Sequence, residues 1–229
     1  MDCERAQEGT GKSGKGVCMI LSDQLIVDNG DFVVEHLDDS TDNRHSVDSF
    51  ASGNNAQGLE LYLKNFALND ELSNESRTYL VKDSLSKALA CYFSLRTCLV
   101  PIALTKSLFT TVSAVELANF AVNENYRKKQ RAIKKIGAYV FLEFILPIVK
   151  HIANLVGARW LCVYALPDEK LIRYYESLGF ARLSKEQEEF VYSHVKPKYD
   201  KNCIFMYQSI ISRGILMMWL ILAFGLGNP

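Results

Sequence analysis

The chain has no net charge, because 26 Lys and Arg offset 26 Asp and Glu over its 229 residues. Without a global basic excess, charge alone gives no argument for nucleic-acid binding, and any electrostatic argument has to be local. It also lacks a C-x-x-C pair. The six cysteines (Cys3, Cys18, Cys91, Cys98, Cys162, Cys203) are scattered, and the four histidines (His36, His45, His151, His194) are not spaced against them as zinc ligands. No metal is therefore expected, and the cysteines read as free thiols of a reducing compartment. No apolar signal-peptide core follows the polar, Gly/Lys-rich N-terminus, so the expected location is the cytoplasm. No internal repeat or low-complexity block argues for a solenoid.

A P-loop is missing too, although Gly9-Thr10-Gly11-Lys12-Ser13-Gly14-Lys15-Gly16 invites one. Gly16 stands where the magnesium-binding hydroxyl is required, and no apolar strand precedes the glycines. Residues 1–29 are read as a flexible leader, 30–208 as one domain and 209–229 as an apolar tail. At 48% hydrophobic residues, a chain of this length can bury a sizeable core.

What is present is a run of recognisable elements. Asp31 to Leu37 is a short β-branched run after the Asn29-Gly30 turn signal, and 38–49 is a loop or capped helix start. Leu59, Leu61, Tyr62, Leu63, Phe66 and Ala67 form a helical stripe. Two apolar strands, 78–81 and 89–95, flank a longer hairpin loop. Residues 96–114, with Pro101, read as a connection across the sheet, and 116–122 as a strand. From Gly137 to about Val156, Phe141, Ile145, Ile148, Ile152 and Leu155 share a helix face, with a kink or break expected at Pro147. Gly157 ends this helix, Trp160 to Ala165 is a buried strand, and Pro167-Asp168-Glu169 starts another helix. On that helix Leu171, Ile172, Tyr175 and Leu178 face inward, while Lys170, Tyr174 and Ser177 point elsewhere. Residues 184–198 read as charged loop, and Cys203 to Tyr207 as a final strand. The order predicts an α/β (α+β) fold, a mixed and mostly antiparallel twisted sheet with helices on both faces.

One stretch carries chemistry. Residues 127–135 hold six cationic side chains in nine positions, just ahead of Gly137-Ala138 at a helix start. A helix N-terminus offers unpaired N–H groups and the positive end of the helix dipole, so it suits an anion such as a diphosphate. A solvated loop and a nucleic-acid patch are the competing readings of the same charges.

The block from 116 to 180 resembles the GNAT acetyltransferases. Phe120-Ala121-Val122 is similar to the family's strand end, and Ile136-Gly137 to the end of its Gln/Arg-x-x-Gly-x-Gly/Ala diphosphate turn, with Ala132 and Lys135 departing from that pattern. Asp168-x-x-Leu171-x-x-Tyr174-Tyr175-Glu176-Ser177-Leu178-Gly179-Phe180 resembles the family's Asn-x-x-Ala-x-x-Phe/Leu-Tyr-x-x-x-Gly-Phe. The likeness extends over about residues 31–208 toward a subgroup that includes tRNA-acetylating toxins.

What the resemblance implies is an acetyl-CoA-dependent N-acetyltransferase acting by direct attack of a primary amine. Phe120, Ala121, Val122, Arg131, Lys134, Lys135, Ile136, Gly137, Ala138 and Asp168 would hold acetyl-CoA, with the thioester carbonyl polarised by a strand N–H near Ala121 or Val122. Tyr175 would be the general acid, Glu116 the base and Asn119 a substrate contact. Two alternatives stay open: a non-catalytic CoA- or nucleotide-binding module, and a toxin that acetylates aminoacyl-tRNA and pairs with an antitoxin. The acceptor is a small-molecule, protein or tRNA amine, and a homodimer is compatible with the sequence. Uncharged residues 214–227 are shorter than the roughly 20 needed to span a bilayer. They read as a helix packed on the domain or a partner, as a membrane or interfacial anchor, or as an exposed extension.

Overall fold

In the computed structural model the described residues are 18–19, 25–53, 56–129, 135–195 and 202–210. Nine strands form one sheet in the order β1-β2-β3-β4-β5-β6-β7-β9-β8. They are β1 (Cys18–Met19), β2 (Leu25–Asp28), β3 (Phe32–His36), β4 (Arg77–Asp83), β5 (Leu89–Ala103), β6 (Phe109–Val122), β7 (Trp160–Ala165), β8 (Ala181–Arg182) and β9 (Ile204–Ser209). Every neighbouring pair is antiparallel except β6 and β7, which are parallel. The expected mixed, mostly antiparallel sheet with helices on both faces is the observed architecture.

One face is covered by α4 (Glu124–Lys129), α5 (Ile136–Val140), α6 (Leu146–Val156) and α7 (Glu169–Ser177). Tyr126, Val140, Phe141, Phe144, Ile148, Val149, Tyr175 and Leu178 pack there on Val34, Val81, Phe93, Leu117, Leu161 and Val163. On the other face α1 (Thr41–Asp48), α2 (Gln57–Asn65) and α3 (Ala67–Leu72) bury Val47, Leu63 and Ala67 against Leu80, Tyr92 and Ala121. Farther along, α8 (Lys185–His194) sets Val191 against Val100, Ala114, Cys162 and Phe205. Alternation along each strand sends successive residues to opposite faces, which is how neighbours such as Leu161 and Cys162 serve two cores.

Local sequence explains most of these elements. Ser40 caps α1 by accepting from the Asn43 N–H, and Ser184 caps α8 by accepting from the Gln187 N–H. Gly157 closes α6 in the left-handed region, φ 76°, and its N–H donates to the Ala153 carbonyl. Pro147 has no N–H to offer the carbonyl of Glu143. Directly before α6, Phe141–Ile145 form a π-helical turn, so the interruption at the proline takes that form within one continuous helical run. This run, Ile136–Val156, has the length and apolarity of a membrane span, but Phe141, Phe144 and Ile145 on it are fully buried against the sheet.

Several expectations need correction. The leader of 1–29 contains β1 and β2, because Leu25-Ile26-Val27 pairs back onto β3 through the Asn29-Gly30 turn. Residues 96–114 are not a connection; β5 and β6 run on as a long hairpin, in register from Cys91↔Val122 to Ala103↔Phe109 apart from one bulge. The stretch 184–198 contains α8, whose Gln187 side chain donates to and its Oε1 accepts from the Ala103 backbone, fastening the helix to the hairpin. Leu155 is 71% exposed, since the π turn rotates the last residues of the run off the core face. The tail 214–227, the Gly9–Gly16 segment and most of the basic turn lie outside the described residues.

The last residue of β3 is a titratable group. The His36 ring lies on Tyr79, with centroids 4.7 Å apart. Burial first, and then the Arg77 charge, lower its pKa. Glu71, 3.8 Å away, pulls the other way, but its carboxylate already accepts from Arg77 and the Thr78 N–H. The unfolded chain therefore binds a proton that the folded chain refuses. Stability should be full above the unfolded value, about 6.5, and fall as pH drops below it. Melting temperatures at pH 7 and pH 5 should differ more in the wild type than in His36→Gln.

Candidate active site

The parallel pair β6–β7 is where a cleft arises. The strands pair only over Ala114–Glu116 and Trp160–Cys162, yet β6 continues to Val122 and β7 to Ala165. Beyond the pairing they part into a V. A bulge lies at this point: between Ser94↔Asn119 and Leu95↔Leu117 the register slips, leaving Ala118 unopposed on β5. A bulge of this kind bends its strand and raises the local twist.

Backbone groups line the V. The Asn123 N–H donates to the Ala90 carbonyl at 2.8 Å. Because an antiparallel ladder alternates, Ala121 also directs its N–H and C=O to β5, whereas Phe120 and Val122 direct theirs to the side from which β7 has departed. Of the two N–H groups expected near the carbonyl, that of Val122 faces this open side together with that of Phe120, and that of Ala121 faces β5. The Phe120 and Val122 side chains pack on the core under α5–α7, and Ala121 packs on the opposite face under α1–α3.

The far end of the V meets the start of the helical run. Lys135 precedes it with φ 62° and ψ 44°, a left-handed conformation that glycine adopts without cost. Ile136 is buried, Ala138 is half-buried against the core, and Gly137 presents a bare Cα. A Cβ added at Gly137 would lie 2.9 Å from the Tyr174 hydroxyl and 3.6 Å from Val122 Cγ2. Of the basic run, Arg127 and Lys128 pair with Glu124 on α4. Arg131 and Lys134 lie outside the described residues.

Tyr175 sits on α7 in the same packed cluster as Leu117 of β6 and Val163 and Ala165 of β7. It is 6% exposed, edge-on to Phe180 at 5.4 Å and to Tyr174 at 5.5 Å. Burial raises its pKa, so the phenol stays protonated. Tyr174 does not point away from the fold as its helical position suggested. It packs on the core, and its hydroxyl is buried without a hydrogen-bond partner. Asp168 caps α7, its Oδ1 accepting from the N–H groups of Lys170 and Leu171 at 2.7 and 3.1 Å.

Glu116 and Asn119 lie on the sheet face shared with α1–α3 and α8. Glu116 is 2% exposed, and its two carboxylate oxygens accept from Arg96 Nε and Nη2 at 2.9 and 2.8 Å. A carboxylate committed at both oxygens to a guanidinium has the geometry of a structural ion pair, not of a base open to an amine. Asn119 is 5% exposed and its Nδ2 has no partner, next to the hydroxyl pair of Thr78 and Ser94 at 2.9 Å across the neighbouring strands. Sequence reading missed Arg96, whose pairing depends on register alone, and the inward turn of Tyr174. Among the described residues no cluster of His, Cys, Asp and Glu is able to hold a metal ion.

No protein-family model and no curated protein matches the chain. Solved structures do. A tyrosine-to-phenylalanine mutant of the AtaT toxin superposes with a TM-score of 0.59 at 20% identity, covering 82% of this chain and 94% of that one. A tyrosine-to-phenylalanine mutant of KacT gives 0.58 at 16% identity over 82% and 99%. AtaT complexed with acetyl-methionyl-tRNAfMet gives 0.58 at 19% identity over 82% and 99%. The parallel pair, the helical run starting beside it and these superpositions agree, and the chain has the GNAT-like fold seen in the AtaT and KacT toxins.

Proposed function

We propose that the protein is an acetyl-CoA-dependent N-acetyltransferase whose acceptor is the α-amino group of an aminoacyl-tRNA. The observation that carries the transferase reading is the V between β6 and β7, where the backbone of Phe120 and Val122 faces a gap that leads to Gly137. An extended amide chain laid in that gap completes the interrupted sheet. Its diphosphate end then meets the N–H groups at Ile136, Gly137 and Ala138. AtaT, one of the proteins similar in fold, is known bound to acetyl-CoA and to acetyl-methionyl-tRNAfMet, which supports the cofactor and the acceptor class.

In this mechanism the amine nitrogen attacks the thioester carbonyl, and the oxyanion accepts from a strand N–H at Phe120 or Val122. As the C–S bond breaks, Tyr175 gives its proton to the departing thiolate and regains one from the ammonium that the amine has become. Burial keeps the Tyr175 phenol protonated until the thiolate forms, and a thiolate formed in the same desolvated site gains basicity as well. Asn119 offers Nδ2 to the acceptor. With Glu116 bound to Arg96, the acceptor supplies its own neutral form. That favours an α-amine, which titrates at about 8, over a lysine, which titrates above 10. Turnover on aminoacyl-tRNA should rise with pH and level off near the pKa of its amine; a plateau already reached at pH 6 would contradict this.

Acetyl-CoA is expected to raise the melting temperature, and incubation with charged tRNA to yield N-acetyl-aminoacyl-tRNA by mass spectrometry of the released amino acid. No shift with acetyl-CoA would remove the reading. The irregular diphosphate turn, with Lys135 in a left-handed position, favours one rival: a CoA-binding module without catalysis. A thermal shift without transfer to any amine would select it. AtaT is also known bound to the antitoxin AtaR, so an antitoxin-like protein is the partner to seek.

A further inference from the structure

Tyr174 is the residue next to the proposed acid, and neither the fold nor the chemistry above uses its hydroxyl. That oxygen is buried and has no hydrogen-bond partner. Leaving a buried hydroxyl unpaired is unfavourable, and phenylalanine would avoid that cost while keeping the ring packing. The hydroxyl also has a defined place. It lies against the bare Cα of Gly137, with the Val122 side chain also close to that point, so it stands where the end of the V meets the first turn of the helical run. Any side chain at 137 would have to displace it, since a Cβ there would approach to 2.9 Å. Burial keeps the phenol protonated, with a pKa above its ordinary value, so it acts as a donor to an anion at neutral pH.

We propose that Tyr174 is a cofactor ligand, its hydroxyl donating a hydrogen bond to a diphosphate oxygen of acetyl-CoA beside the Gly137 N–H. This rests on the acetyl-CoA reading and adds a contact from α7, so that the two neighbouring tyrosines divide the work: Tyr174 holds the diphosphate and Tyr175 serves the thiolate. With Lys135 in place of the usual glycine, a donor from the opposite wall would reinforce a turn that departs from the common pattern. Gly137 then has two functions, approach of the phosphate to the backbone and space for the phenol.

The test is isothermal titration of wild type, Tyr174→Phe and Gly137→Ala with acetyl-CoA and with acetyl-pantetheine, which has the thioester arm but no diphosphate. A hydrogen bond to a charged group predicts a loss of about tenfold or more in acetyl-CoA affinity for Tyr174→Phe. Acetyl-pantetheine affinity should be unchanged. At saturating acetyl-CoA kcat should hold while KM rises, and the melting temperature of the apo variant should not fall, because the lost hydroxyl bonds nothing in the fold. Gly137→Ala should weaken acetyl-CoA binding in the same direction. Equal acetyl-CoA affinity in wild type and Tyr174→Phe would overturn the inference and leave the acetyltransferase reading standing. Equal losses on both ligands would overturn the diphosphate assignment, and no binding by wild type would remove the acetyl-CoA reading itself.

Discussion

Tyr175→Phe is expected to reduce kcat for acetyl transfer by about 100-fold or more, the usual range for a positioned general acid. Acetyl-CoA affinity should stay within about twofold of wild type, since in the proposed mechanism the lost group would donate to the thiolate only as the C–S bond breaks. Stability should hold, because the ring keeps its contacts with Phe180 and Tyr174. Stopped-turnover assays with a thiol reagent for free CoA would measure this directly. Equal kcat in the two proteins would end the acid assignment. Combined with Tyr174→Phe, the result separates two adjacent phenols by kinetic signature: one variant should change kcat, the other KM for acetyl-CoA.

The second large effect concerns folding. Glu116→Ala removes the bidentate partner of Arg96 from the middle of the sheet. Deleting one member of a buried pair destabilises by about 3–5 kcal/mol, and Arg96, at 19% side-chain exposure and with further interactions, places this case at about 3. For a chain of this size that is a drop of roughly 6–12 °C in Tm. The double variant Glu116→Leu with Arg96→Leu should recover most of the loss, because the paired charges are removed together. Were Glu116 instead the catalytic base, Glu116→Gln would abolish turnover at unchanged Tm, and the double variant would rescue nothing. Thermal melts and rates on the same samples distinguish the outcomes.

The elements that could be read from sequence are those whose signals are local. Ser40 and Asp168 announce helix starts, Gly157 a helix end, and the β-branched run at 32–36 and the apolar run at 160–165 announce strands. The tyrosine motif on α7 announced the fold more firmly than the basic turn did. What escaped depended on partners distant in sequence. Residues 96–114 look like a connection because Pro101 disfavours a strand interior, and only the opposite strand shows that they pair. Ser184-x-x-Gln187 is a helix-start signal that the surrounding charges concealed, and α8 is amphipathic only relative to a hairpin arm whose existence was not evident. The Arg96–Glu116 pair depends on register, the opening of the V on a single bulged residue at Ala118, and Tyr174 on the absence of a side chain at Gly137. None of these leaves a periodic trace.

The brevity of the β6–β7 seam has a kinetic consequence. Three residues on each strand join the hairpin-built half of the sheet to β7, β9 and β8, whereas β5 and β6 are zipped over thirteen register positions. The chain between the paired residues, from 116 to 160, must be closed as a long loop before the parallel contact forms, so this contact is expected late in folding. It should also be the first to open in the native state, giving the amides of β7 faster hydrogen exchange than those of β4 and β5. Acetyl-CoA lying across the V would bridge the two halves. At a hundredfold excess over its Kd it would add about 2.7 kcal/mol to their union. The cofactor would then be a fastener of the fold as well as a reagent, and its cellular level would set how long the protein survives proteolysis.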